Sequence, residues 1–517
     1  MDFSERYNAW QSLPQMFFAR AAELGDKPLF WHKQGQEWHS ISWAEARERV
    51  SALSRGLRAL GVTPGDRVAL VAENRPEWAI ADLAIMAARA MTVPAYTTNT
   101  VADHVHILGD SGAKLAIVSS AALAERLLPA ALQVESTGGV ICLEPSRSKA
   151  DGLGLEGWDD VLDRGRAQPD DVEAYVAAIK RGDTCCLIYT SGTGGAPKGV
   201  MLSHGAIICN AKGGYHLFRD DDLLDLDREV FLSFLPLSHS YEHTAGLYFP
   251  ISIGAEIYYA ESVDKLVANM AEARPTIMTA VPRLYESMHQ RIISGVRRKG
   301  GLSEALFMKA VELGRRRYEQ GPAGLSVGGR MLDRLLDKLV RAKVAGRFGG
   351  RLKAFVSGGA PLNYDIGVFF VALGVRLLQG YGQTETAPVV SANRPSRIRI
   401  HTVGPPFTDV EVKIAGDGEI LVRGELTMQG YWNNPEATAE ALKDGWVHTG
   451  DIGDIDDDGY LRITDRKKDI IVLSGGDTLS PQRVEGMLTF EPELAQAMVY
   501  GDRQSHLVAL LVPDADF

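Results

Sequence analysis

The chain has 517 residues, 45% hydrophobic and 23% charged, a globular composition that excludes a disordered or fibrous polymer. At about 100–200 residues per domain, the length calls for two to four folding units. The formal charge of −11 argues against general nucleic-acid binding. The most apolar stretch, Ala79 to Tyr96, is broken by Asp82 and Arg89, so no membrane-spanning helix is expected. The opening residues, Met1 to Arg6, show no basic region followed by an apolar one, which argues against a secretory signal. Cys142, Cys185, Cys186 and Cys209 match neither a disulfide scaffold nor a zinc spacing. A reducing cytoplasm is the expected location.

Ser42-Trp-Ala-Glu45 spells a capping box, and Ala46, Val50, Leu53, Leu57 and Leu60 recur behind it at helical spacing. Gly61 and Pro64 stop that helix. Arg67–Val71 reads as a buried strand, Ala79–Ala90 as a helix and Lys114–Val118 as another strand. Apolar runs follow at Cys185–Tyr189, Phe231–Leu235, Ala255–Tyr259, Thr276–Val281, Ala354–Val356 and Val375–Leu378. Helical lengths separate most of them, which predicts parallel sheets covered by helices. From about residue 400 the runs shorten: Val410–Ile414, Glu419–Arg423, Tyr460–Thr464 and Ile470–Leu473 are strand-like and punctuated by Gly and Asp-Gly turns. This predicts a β-rich subdomain leading into a small last unit.

The segment richest in chemistry is Tyr189-Thr-Ser-Gly-Thr-Gly-Gly-Ala-Pro-Lys-Gly199, which follows a strand and precedes a helix predicted to begin near Ser203. Gly192, Gly194, Gly195 and Gly199 let backbone N–H groups turn inward, Thr190, Ser191 and Thr193 add hydroxyls, and Lys198 adds a fixed charge. Together they suit a polyphosphate. Lys198 is followed by Gly199 rather than Ser or Thr, so the loop is not a Walker A motif. Pro197 stands where a dinucleotide fingerprint has its third glycine.

Two segments spell other chemistries. His239-Ser-Tyr-Glu-His243 has the spacing of an inverted zinc-protease motif, but the flanking Leu235-Pro-Leu237 and Thr244-Ala-Gly246 disfavour a long helix to carry it. Asp454-Ile-Asp-Asp-Asp-Gly459 nearly spells a calcium loop, yet its flanks are strand-like and Asp458-Gly459 is a hairpin turn. Between Arg291 and Lys353 stand 16 Lys or Arg against 5 Asp or Glu. That stretch reads as a solvated helical face or as a surface for anionic lipid. Leu332, Leu335, Leu336 and Leu339 are expected on one helical face within it.

The glycine-rich loop resembles the phosphate-binding signature of adenylate-forming enzymes, although that signature usually has Thr-Gly where this chain has Gly194-Gly195. Ser357-Gly-Gly-Ala-Pro361 is similar to the family's segment beside the adenine, and Gly380-Tyr-Gly-Gln-Thr-Glu-Thr386 to its central nucleotide motif. The resemblance implies that Gly359, Ala360 and Pro361 lie beside the adenine, that Gly380, Gly382 and Gln383 also bind the nucleotide, that Tyr381 stacks on the base, that Thr384 contacts the α-phosphate and that Glu385 is a magnesium ligand. His448-Thr-Gly-Asp451 and Thr464-Asp-Arg-Lys-Lys-Asp469 imply ribose contacts from Asp451 and Arg466 and a hinge at Lys468. Ser474-Gly-Gly-Asp477 is similar to the family's pantetheine loop.

Leu235-Pro-Leu-Ser-His-Ser-Tyr-Glu242, Val281-Pro-Arg-Leu-Tyr-Glu286 and the helical insertion after them resemble the long-chain fatty acyl-CoA synthetase branch, which places His239 beside the acyl group. The fold implied is α/β: a large domain of residues 1–465, with two helix-covered sheets and a β-rich subdomain at about 400–465, then a small α+β lid at 466–517. The reaction implied uses ATP, Mg²⁺ and coenzyme A: acyl-adenylate formation in the cradle of Lys198, Thr384 and Glu385, then thioester formation. Rivals are a fatty acyl-AMP ligase serving a carrier protein and a non-catalytic acyl or nucleotide sensor. The partners expected are these small molecules and, at the inner face of a membrane, anionic lipid. The family carries a late lysine for adenylation, whereas no lysine follows Lys468 here. The chain is therefore expected to be a truncated form with weak adenylation.

Overall fold

The computed structural model describes residues 3–145, 152–190, 196–467, 471–474, 478–479, 481–488, 491 and 493–513. The capping box forms as spelled: Ser42 Oγ accepts from Glu45 N, and the Glu45 carboxylate accepts from Ser42 N. It starts the helix Trp43–Ala59, in which Ala46, Val50, Leu53 and Leu57 are buried, while Leu60 caps the end half-buried.

Two eight-stranded sheets carry most of the chain. In the first, Met91–Pro94, Arg67–Val71, Leu115–Val118, Gly139–Cys142 and Gly154–Gly157 run parallel. Thr184–Thr190 joins them in parallel and then pairs antiparallel with Lys198–Ser203, which pairs in turn with Gly430–Tyr431. The second sheet has a parallel centre made of Glu256–Tyr259, Val230–Ser233, Ile277–Ala280, Ala354–Ser357 and Leu377–Gly382. Antiparallel strands close both its edges. The expected parallel, helix-covered sheets are therefore present, with antiparallel margins that alternation alone did not reveal.

The helix Pro76–Ala87 explains the longest apolar stretch of the sequence. Every residue in it except Glu77 is buried, and it touches strands of both sheets, so no side is left for polar groups. Among the described residues, no helix is long and apolar enough to cross a membrane. Past residue 400 the β-rich unit forms an antiparallel sheet from Glu411–Ile414, Glu419–Arg423, Leu442–Lys443, Trp446–Ile455 and Leu461–Arg466. Its Asp456–Gly459 turn closes with Gly459 N donating to Asp456 O at 2.9 Å, and Gly459 has φ +80°. The turn's carboxylates pair with Arg397 and Arg399, and Asp454 pairs with Arg462. The near-calcium spelling is thus a hairpin in which Asp454, Asp456 and Asp458 are already paired with arginines.

The insertion contains the helices Pro282–Lys299 and Gly301–Gln320, then Val327–Leu336, which continues through wide π turns at Asp337–Arg341 into Ala342–Arg347. Here one expectation fails. The four leucines do not share a core face: Leu336 is buried and Leu332 half-buried, while Leu335 and Leu339 are exposed. The inward positions are Asp333, Leu336, Val340, Arg341 and Val344. The buried Asp333–Arg341 ion pair, at 2.6 Å, takes one turn of that face, and the π turns shift the register beyond it. Arg341 also donates to the carbonyls of Ala310 and Ala372, which ties the helix to its neighbours.

Candidate active site

Thr190 and Lys198 stand directly opposite each other across an antiparallel ladder. The glycine-rich segment therefore connects two paired strands, and its helix, His204–Arg219, starts only after the second of them, capped by Ser203 Oγ as expected. Ser191, Gly192, Thr193, Gly194 and Gly195 lie outside the described residues, as do Lys468 and the Gly475-Gly476-Asp477 part of the pantetheine loop. The two legs of the connection are pinned from outside. His106 Nε2 meets Pro197 O at 2.8 Å, Tyr189 OH donates to Asp110 Oδ2 at 2.6 Å, and Trp432 N donates to Gly199 O at 2.7 Å. A Cβ at Gly199 would lie 3.0 Å from the Tyr189 ring, so glycine lets that ring pack close against the strand.

These legs open on a cleft of about 1290 Å³. Thr190, Lys198, His239, Gly359, Gly380, Tyr381, Gly382, Gln383, Thr384, Glu385, Asp451 and Arg466 all line it, although they come from all three large sheets and their connections. Ala360 and Pro361 are exposed and are not among its lining residues.

On the nucleotide-motif side, Leu377–Gly382 delivers Tyr381, and a short 3₁₀ turn presents Thr384 and Glu385. Tyr381 OH donates to Asp451 Oδ2 at 2.6 Å, and Arg466 Nε lies 3.2 Å from Asp451 Oδ1. Burial, with the Asp451 charge beside it, holds the Tyr381 hydroxyl protonated well above the usual phenol range. Asp451 is thus a buried carboxylate already arranged to accept hydroxyl hydrogens. Lys467 pairs with Asp417 and Glu419, which raise its pKa.

Across the cleft, Glu385 Oε1 accepts from Tyr431 OH at 2.7 Å, and the Lys198 ammonium lies over the Tyr431 ring, 4.6 Å from its centroid. One tyrosine therefore separates the two charges assigned to the phosphates and the metal. Sequence reading passed over Tyr431. Its only signal is its place in Gly430-Tyr-Trp-Asn-Asn-Pro435, a short strand that pairs with Val200–Met201 just after Lys198.

His239 accepts from Tyr241 N through Nδ1 at 3.2 Å, so its neutral ring carries the proton on Nε2. Desolvation lowers its pKa from the usual imidazole value and favours that neutral form. Ser240 Oγ lies 3.1 Å from Thr384 Oγ1, which joins the histidine segment to the nucleotide motif. Contrary to the expectation drawn from Thr244-Ala-Gly246, helical turns do follow His239, as wide π turns over Glu242–Tyr248 and then Phe249–Ile253. Gly246 permits them, because a Cβ there would lie 2.3 Å from the buried Glu242 carboxyl carbon. The two histidines of the zinc-like spelling part company. His239 lines the cleft, whereas His243 is buried, 2.8 Å from Asp82 Oδ2, which also accepts from Tyr248 OH at 2.6 Å.

The sequence profile of the AMP-binding enzyme family matches residues 17–432. The chain belongs to this family. It is 35% identical over 489 residues to the long-chain-fatty-acid–CoA ligase FadD15 of Mycobacterium bovis, covering 93% of this chain and 78% of that protein. It is 33% identical over 502 residues to the peroxisomal long chain acyl-CoA synthetase 6 of Arabidopsis thaliana, covering 92% and 69%. Among solved structures it is similar to the A domain of a carboxylic acid reductase from Segniliparus rugosus, in complex with AMP and a co-purified carboxylic acid. That match has a TM-score of 0.79 and 22% identity, and covers 99% of this chain and 84% of that one. This likeness shows the fold: the α/β architecture of adenylation domains.

Proposed function

We propose that this member of the AMP-binding family is a long-chain fatty acid–CoA ligase that forms AMP. The observation that carries the reading is the convergence of Lys198, Thr384, Glu385, Asp451 and His239 on one cleft, in a chain 35% identical to a protein named for that reaction.

A fatty acid carboxylate must attack the α-phosphorus of ATP and displace pyrophosphate, so two anions have to be brought together. Lys198 and the glycine-rich segment would hold the phosphates, Thr384 Oγ1 the α-phosphate, and Asp451 with Arg466 the ribose. Tyr381 would cover the base. Glu385 has one carboxylate oxygen on Tyr431 and faces the cleft. Beside the Thr384 hydroxyl, this is a sparse oxygen set of the kind Mg²⁺ accepts when phosphates and waters supply its other ligands. There Mg²⁺ would spread the phosphate charge. His239, neutral and donating through Nε2, suits a carboxylate oxygen without fixing it as a tight salt. The acyl-adenylate carries AMP as a good leaving group, and the thiolate of coenzyme A then attacks the acyl carbon. Holding adenine and ribose far from the reacting atoms supplies the orientation on which the rate depends.

The same reading divides the chain into a large domain to residue 465 and a lid from 466, turning at Lys468. It locates the protein in the cytoplasm, with peripheral contact to anionic membrane. The test is a fatty-acid panel with ATP, Mg²⁺ and coenzyme A, run on a chain that carries the family's late adenylation lysine. Acyl-CoA and AMP should form together and depend on coenzyme A. Acyl-adenylate that accumulates regardless of coenzyme A would transfer the assignment to an acyl-AMP ligase.

A further inference from the structure

The helix that runs from Val327 to Arg347 has two apolar faces where its fold needs one. Leu336, Val340 and Val344 are buried in the second hydrophobic core. On the opposite side Val327, Met331, Leu335 and Leu339 are 68%, 70%, 52% and 41% exposed, four apolar side chains at four-residue intervals along one ridge. Core packing gives no reason for the second ridge.

Cations flank it. Arg330, Arg334, Lys338, Lys343 and Arg347 are exposed, and none of their side chains has an ion-pair or hydrogen-bond partner among the described residues. The acids of the same helix are occupied: Asp333 is buried between Arg317 and Arg341, and Asp337 pairs with Arg341. In a chain of net charge −11 this concentration of unmatched positive charge is local and one-sided.

We infer that this ridge is a membrane-docking face: an in-plane amphipathic helix whose Val327, Met331, Leu335 and Leu339 enter the headgroup–acyl boundary of an anionic bilayer while the flanking cations meet its phosphates. An apolar ridge bordered by basic residues is the pattern that such interfacial binding uses. A second copy of the chain fits poorly, because a twofold contact would set five unmatched cations against the same five. A nucleic acid would leave the apolar ridge unused. The inference deepens the ligase reading, since fatty acids reside in membranes, but it stands on the surface alone.

The test is co-sedimentation of the full chain, without ATP or fatty acid, with vesicles of phosphatidylcholine alone or mixed with phosphatidylglycerol. The chain should partition onto the mixed vesicles far more strongly, and added salt should weaken the binding. R330Q/R334Q/K338Q should reduce that partitioning on the order of 100-fold, at about fivefold for each cation near the surface. M331S/L335S should weaken binding even at low salt. These side chains are exposed, so thermal melts of the variants should match the parent; single R334Q and L335S variants replace any that do not. Equal partitioning onto both vesicle types, or binding indifferent to both variants, overturns the inference. So does absent vesicle binding with self-association that M331S/L335S abolishes, which would make the ridge a contact between copies. A chain that binds vesicles yet binds neither ATP nor fatty acid would refute the ligase reading and leave the docking face standing.

Discussion

Tyr431 donates its hydroxyl hydrogen to Glu385 Oε1 at 2.7 Å while its ring lies beneath the Lys198 ammonium. The carboxylate assigned to the metal and the lysine assigned to the phosphates thus share one aromatic support. Tyr431→Phe keeps the ring under Lys198 and removes only the hydrogen bond to a charged acceptor, worth about 1.5–3 kcal/mol. We expect kcat/KM for acyl-CoA formation to fall about 10- to 100-fold, with a higher Mg²⁺ requirement. An unchanged Mg²⁺ titration would show that Tyr431 does not position Glu385.

Glu385→Ala should reduce pyrophosphate release by orders of magnitude, because charge neutralisation at the reacting phosphates is lost. The carboxylate is part-buried at the cleft wall, and the backbone of its 3₁₀ turn stays anchored, with Glu385 O accepting from Met428 N at 2.8 Å. The melt should therefore change little. Near-normal pyrophosphate release would remove the metal assignment.

Asp451→Ala should raise the KM for ATP with a smaller effect on kcat, since the ribose contact is remote from the reacting atoms. Tyr381→Phe offers the converse control. It frees Asp451 from the 2.6 Å hydrogen bond while leaving the ring to cover adenine. Its KM should stay within a few-fold of the parent, a span of about 1 kcal/mol or less. A Tyr381→Phe variant as impaired as Asp451→Ala would mean that the phenol, not the carboxylate, holds the sugar.

Glu242 gives a prediction of stability against pH. Burial raises its pKa from 4.5 to about 7 in the fold, although Thr279 Oγ1 donates to it at 2.6 Å. The native state therefore holds this proton over a range in which the unfolded chain has released it, and stability drains away as pH rises from about 4.5 to about 7. Glu242→Gln removes the ionisation and should flatten that decline, giving a variant more stable than the parent at pH 8 by on the order of 3 kcal/mol. Parallel melting curves against pH for the two proteins would exclude the carboxyl as the source.

Gly246→Ala should destabilise by about 1–3 kcal/mol through overpacking against the Glu242 carboxyl, whose carbon would lie 2.3 Å from a Cβ at that position. Glu242→Ala in the same chain should recover much of that loss. A strictly additive double variant would mean that the two positions do not meet.

The parts of the fold and site that could be read in advance were those governed by local chemistry. The Ser42 capping box, the strand Arg67–Val71 and the Asp-Gly hairpin needed only neighbours in sequence. The cleft residues were named through motif resemblance, and twelve described ones meet in one cavity. What stayed hidden depended on distant packing. Lys198–Ser203 pairs as a strand because Thr184–Thr190 and Gly430–Tyr431 lie on either side of it, and its own residues carry no such signal. The π turns after His239 wrap a buried carboxyl that only the tertiary structure reveals. The inward face of the insertion helix is set by the Asp333–Arg341 pair, a polar contact that a hydrophobic pattern ignores.

The helix Pro76–Ala87, pressed between the two large sheets, has a bearing on any attempt to divide the protein. A fragment that ended before the second sheet's central strands would strip one side of the packing from a helix whose Trp78, Ile80, Leu83 and Met86 are fully buried in the intact chain. Neither half of the large region should be recoverable as a well-behaved piece. Limited proteolysis should accordingly leave this stretch uncut until the whole assembly melts, and split-protein reporters should be joined elsewhere.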